Sequence, residues 1–146
     1  MSVRRATIRG IALAAVVAGC SHSGPKTVPV SGTVLLDGAP LPAGEIYFLE
    51  SQSSGPTVFP VSAGKFEGRL TVGPKRVEVY WTQKVQVPPE RRMGPEPSIN
   101  MIHSDYNVDS KLTAEVLDDG TLRPAQFDVK RNPAAKLHVN PREAGR

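Results

Sequence analysis

The chain has one cysteine, one tryptophan, three tyrosines and four phenylalanines in 146 residues. A single thiol excludes an internal disulfide, so stability has to come from a buried core. The longest apolar run, residues 10–19, is half of the roughly 20 residues a membrane span needs. No stretch after it carries helical periodicity of useful length, which excludes a helical bundle. Charge of one sign is also scarce. The formal net charge is +4, but Arg4, Arg5 and Arg9 supply three of the 18 basic residues and none of the 14 acidic ones precedes residue 20. Residues 20–146 carry 15 basic against 14 acidic side chains, a net of +1. That balance excludes the clustered basic face that nucleic acid requires, and no nucleic-acid partner is expected.

The features that are present begin at the N-terminus. Arg4, Arg5 and Arg9 ahead of the apolar residues 10–19 have the layout of a secretory signal. The run ends in Val17-Ala18-Gly19-Cys20, which resembles a bacterial lipobox. The resemblance implies cleavage before Cys20 and acylation of its thiol, palmitate being a typical acyl group. Residues 1–19 are then a signal peptide and 20–27 a lipidated, polar tether. The expected location is the cell envelope, with the protein lipid-anchored to a membrane and facing the periplasm or exterior.

From Val28 onward, short alternating runs are separated by Gly, Pro and Asp turns, the pattern of an all-β domain. Seven strands are expected: 30–36, 45–50, 57–61, 65–70, 76–82, 111–116 and 126–130. Asp37-Gly38 and Ala63-Gly64 supply hairpin turns. Pro60 argues for an edge position. The run Arg76–Thr82 places Val77, Val79 and Trp81 on one face, and Trp81 is expected in the core. About seven strands in a hundred residues indicate a two-sheet, Greek-key sandwich over residues 28–130. Residues 84–100, with Pro88, Pro89, Pro95 and Pro97, are expected to form an exposed loop. Residues 131–146 are expected to be a polar, flexible tail.

The order Val30, Gly32, Val34, Asp37, Gly38, Pro40, Leu41, Ile46 and Phe48, then Gly64 and Phe66, resembles carboxypeptidase-regulatory-like domains. Ile102, Tyr106 and Asn107 before Leu112, Thr113, Glu115 and Val116 extend the likeness to small envelope lipoproteins of that type. The resemblance implies a transthyretin-like (prealbumin-like) sandwich. The sequence departs from the pattern at His103 and Asp105, which stand where proline and lysine are usual. Enzymes with prealbumin-like sandwiches are a poor match. Intradiol dioxygenases hold iron with paired histidines and tyrosines, whereas His22, His103 and His138 lie in tether, loop and tail. The Tyr-Arg-Gly-Ser ending of hydroxyisourate hydrolases is absent.

Chemistry-bearing residues are sparse. His103 and Asp105, near Tyr106 and Asp109, match no metal-ligand spacing, and neither a metal nor another cofactor is expected. No Gly-x-Ser-x-Gly turn occurs, and the chain is not expected to be an enzyme. Arg91 and Arg92, between prolines, suit carboxylate or phosphate groups and form, with His103 and Asp105, the expected binding loops. Tyr106 is expected to be structural, its hydroxyl bonding backbone upstream as in a tyrosine corner. Tyr47, Phe59 and Tyr80 are an alternative aromatic surface. The sequence therefore points to a membrane-anchored, non-catalytic interaction module whose partner is the membrane through its lipid and an envelope protein or glycan. The alternative is a carbohydrate- or small-ligand-binding module.

Overall fold

The alternation of apolar residues is realised as strand. The computed structural model describes residues 24–51, 55–85, 94 and 97–137. Cys20, the signal segment, Arg91, Arg92 and residues 138–146 lie outside the described residues. Eleven strands are present: β1 (Thr27–Leu36), β2 (Ala39–Pro40), β3 (Ala43–Leu49), β4 (Thr57–Ser62), β5 (Lys65–Thr71), β6 (Gly73–Tyr80), β7 (Thr82–Lys84), β8 (Ser98–Asn100), β9 (Leu112–Val116), β10 (Leu122–Arg123) and β11 (Gln126–Val129). No α-helix occurs among the described residues, so the chain there is all-β as expected. Every one of the seven expected strands has a counterpart.

One sheet runs in the order β10-β9-β6-β3-β4-β5-β1-β11, with β2 hairpinned onto β1; β7 and β8 make a separate ribbon. Both expected tight turns form, with positive φ at Asp37 and Gly38 and again at Ala63 and Gly64. This backbone twist matches that of the flanking strands. Beyond the second turn, β4 and β5 are in register only at Ser62 and Lys65. The sheet bends there and curls, so that β5, β1 and β11 face β4, β3, β6 and β9 across one core. Phe48 of β3 meets Phe66 of β5 at 5.8 Å and Phe127 of β11 at 6.4 Å between ring centroids, contacts that sheet order alone would not allow. Pro60 lies on the β4 side that separates from β5 and pairs only with Glu45 of β3.

Two inward-facing glycines make room for the rings. A Cβ on Gly68 would meet the Phe59 ring at 2.1 Å. One on Gly32 would meet Phe66 at 2.5 Å and the Ala125 carbonyl at 2.6 Å, and that carbonyl accepts the Thr33 N–H at 2.8 Å. Phe59, expected on an aromatic surface, therefore points inward instead.

Three further departures share a cause, the need of buried backbone groups for partners. The strand expected to run through Thr82 stops at Tyr80, and Trp81 is half-buried at the margin of the core rather than within it. The ends of the expected 84–100 loop pair as the β7–β8 ribbon, continued by a Val85 N–H to Pro97 carbonyl bond of 2.8 Å. The start of the expected tail is ordered: Asn132 N–H donates to the Met101 carbonyl at 2.8 Å, and Ala135, in a 3-10 helix over Pro133–Leu137, is fully buried.

The glycine contacts set an order of sensitivity. Gly68→Ala displaces a ring and should cost about 1–3 kcal/mol, the range for overpacking a core. Gly32→Ala must also move backbone and should cost more, so its urea midpoint should fall below that of Gly68→Ala. Equal midpoints for both variants and wild type would remove this account of the packing.

Candidate functional site

The loop from His103 to Ser110 is built by local hydrogen bonds. A 3-10 turn spans Ser104–Tyr106, capped by His103, whose Nδ1 accepts the Asp105 N–H at 3.3 Å. The Asp105 carboxylate lies 3.4 Å from the same nitrogen, with both side chains substantially exposed. His103 and Asp105 are therefore brought together. No third His, Cys, Asp or Glu completes a metal-binding group among the described residues. The brace expected of Tyr106 is supplied by its neighbours. Among the described residues the Tyr106 hydroxyl makes no hydrogen bond, while its ring packs on the core. Buried Asn107 donates from Nδ2 to the carbonyls of Ile102 (3.2 Å) and His103 (3.0 Å). Buried Ser110 donates from Oγ to the Val77 carbonyl at 2.5 Å. Reach explains why these two residues take the role: Asn107 and Ser110 have short side chains already at the seam.

Trp81 also serves the seam. Its backbone N–H donates to Asn100 Oδ1 at 3.2 Å, which also accepts from Ile102 N–H at 3.1 Å. The Arg131 guanidinium lies 5.7 Å above the Trp81 ring, a cation–π contact. At the opposite end of β6, Lys75 is buried and its Nζ reaches the Glu50 carboxylate at 3.1 Å, with Thr71 Oγ1 donating to the same carboxylate. A groove of about 410 Å³ opens beside this pair. The lysine lies on the inward side of its strand and finds its counter-charge at the sheet's end, as a buried cation must.

The densest polar and aromatic grouping lies on the outer face of β3 and β6. Ile46 and Val79 are fully buried, so alternation sends Glu45, Tyr47, Glu78 and Tyr80 the other way. Register places Glu45 opposite Tyr80 and Tyr47 opposite Glu78. The two phenol rings meet edge to face, 4.9 Å apart at 64°. Each hydroxyl donates to the glutamate two residues before it, Tyr47 to Glu45 and Tyr80 to Glu78, both at 2.9 Å. Arg76 pairs with Glu78. The bond to Glu45 and then partial burial raise the Tyr47 pKa. Burial, with the bond to Glu78 and its charge, pushes Tyr80 up to about 12.

The repeated Glu-x-Tyr escapes notice in the linear sequence because the two copies lie in strands that β4 and β5 separate. A signal for it is nonetheless there, as Glu45-Ile46-Tyr47 and Glu78-Val79-Tyr80 are the same pattern with an apolar centre.

Asn107→Ala should destabilise by about 1–3 kcal/mol through carbonyls left unpaired, whereas Tyr106→Phe should stay within about 0.5 kcal/mol. The reverse order in chemical denaturation would restore the tyrosine as the brace. Tyr80 has a folded pKa above its unfolded value of 10.0, so its contribution to stability is complete below pH 10 and is lost as pH rises through about 12. Phenolate absorbance, with Tyr80→Phe as the difference reference, should place its midpoint there, and Glu78→Gln should lower it. A midpoint at the ordinary tyrosine value would contradict the geometry. Set against known proteins, the chain matches no protein-family model, no curated protein and no solved structure.

Proposed function

We propose that this chain is a lipid-anchored envelope protein, and that residues 28–130 act as a non-catalytic interaction module. In this reading Cys20 is acylated, and the domain is a Greek-key β-sandwich of the carboxypeptidase-regulatory-like, transthyretin-like kind. The curled sheet with one shared core supports the sandwich. The observation that carries the reading of a presented surface is the outer face of β3 and β6, where two tyrosines are held outward by carboxylates on a sheet whose other side is the core. Such a surface is rigid before any partner arrives, which lowers the entropy cost of docking.

The tether sets where that surface works. Strand β1 starts at Thr27, and Lys26 is fastened to Asp118 at 2.8 Å. The residues from Cys20 to Lys26 span at most about 25 Å when extended. The module would ride close to the bilayer, and confinement would raise its effective concentration toward other envelope components. Acyl chains contribute about 0.8 kcal/mol per buried methylene, so more than one chain holds the protein durably. The carbohydrate- or small-ligand-binding reading is the second one, and it draws on the same pair of tyrosines.

Fractionation of cells producing wild type or Cys20→Ser tests the anchor. Wild type should sediment with membranes and the variant should become soluble. A variant that remains in the membrane pellet would remove the lipid from the account.

A further inference from the structure

Glu45-Ile46-Tyr47 and Glu78-Val79-Tyr80 cross antiparallel, each glutamate opposite the other strand's tyrosine. The hydroxyls are turned onto carboxylates, which fixes the rings and keeps negative charge at their edges. Arg76 neutralises Glu78, but among the described residues Glu45 pairs with no cation, and it is exposed. The neighbouring outward positions of β4, Val58 and Pro60, carry no charge, and Val58 is exposed. A face of π-electron density beside an uncompensated carboxylate attracts cations. The raised ionisation of both phenols reports the same negative potential.

We propose that this face binds the ammonium or guanidinium side chains of an extended basic polypeptide, seated over the tyrosine rings against Glu45. The proposal deepens the interaction-module reading, on which it rests, by giving the partner's chemistry. An extended segment projects every second side chain to one side at about 6.6–7 Å. Diagonal positions across an antiparallel pair are about 7–8 Å apart. Lysines or arginines at alternate positions therefore match the spacing of the two rings. A neutral glycan would use the rings but would gain nothing from the charge of Glu45. Beyond residue 19 the chain is nearly neutral, at +1, so general attraction between opposite net charges does not account for binding.

The test is fluorescence anisotropy on the full chain in uncharged detergent micelles, with labelled octalysine, octaglutamate and a neutral chito-oligosaccharide as probes. Octalysine should bind at low salt and weaken as salt rises, and octaglutamate should not bind. Tyr47→Leu and Glu45→Gln should each weaken octalysine binding at least about tenfold, a loss of about 1.4 kcal/mol. Tyr47→Phe, which keeps the ring, should retain most binding, and Glu67→Gln on β5 should change nothing. Circular dichroism of each variant establishes that it is folded. No octalysine binding, equal binding by wild type and Glu45→Gln, or tighter chito-oligosaccharide binding that Tyr47→Leu abolishes would each overturn the proposal, the last in favour of a glycan. Running Cys20→Ser in parallel separates the two readings: a wrong anchor changes fractionation and leaves these affinities as they are.

Discussion

The interlock of four phenylalanines with two glycines is the constraint on which the rest of this structure depends. Phe48, Phe59, Phe66 and Phe127 are all the phenylalanines in the chain, and their rings contact one another at centroid distances of 5.8 to 6.4 Å. They come from β3, β4, β5 and β11, so they join the two halves of a sheet that is barely continuous between β4 and β5. A ring needs a hollow opposite it, and in a close-packed interior the hollow has to be built in. Gly32 and Gly68 are those hollows, placed at inward positions that alternation would otherwise fill. With no disulfide available, this packing has no covalent substitute.

Closing the sheet leaves backbone groups to satisfy where strands end, and a set of asparagines does most of that. Asn100 Oδ1 accepts from both Trp81 and Ile102, the Asn100 carbonyl accepts from Asn132 Nδ2, and Asn107 binds two carbonyls of the preceding turn. The amide side chain carries donor and acceptor together, which suits places where a carbonyl and an N–H lie side by side. No buried side-chain nitrogen or oxygen among the described residues lacks a partner. The ordering of Met101, Ile102 and the segment around Asn132 comes from this demand rather than from apolar periodicity.

That division explains what is legible in the sequence and what is not. The inward residues Val34, Leu36, Ile46, Phe48, Val77, Val79, Phe127 and Val129 obey a period of two, so the strands carrying them can be read directly, as can both turns with positive φ. Trp81 departs from its expected place because alternation says nothing about where a strand stops; its end is set by Asn100, nineteen residues away. The ordered start of the tail is invisible for the same reason, since Asn132 acts only through distant carbonyls. Of the candidate residues, His103 and Asp105 do lie together, but as a capped turn. The Tyr47 and Tyr80 grouping is half legible: the aromatics stand out in the sequence, whereas Glu45 and Glu78 become relevant only once register sets them across from the rings.

Register also explains why this face is well suited to presentation. Slipping β3 against β6 by one residue would turn Ile46 and Val79 outward and bury the glutamates, a cost that the shared core makes prohibitive. The positions of the outward tyrosines are thus maintained by residues that never meet a partner. Cross-strand contact between the rings and the two hydroxyl–carboxylate bonds add local rigidity. The edges of the sheet are less available for strand addition: Pro60 interrupts donors on β4, and charged side chains mark β5 at Lys65, Glu67 and Arg69. Recognition by added strands is therefore disfavoured at the β4–β5 split, and recognition by side chains on a flat, braced face is what the architecture leaves open.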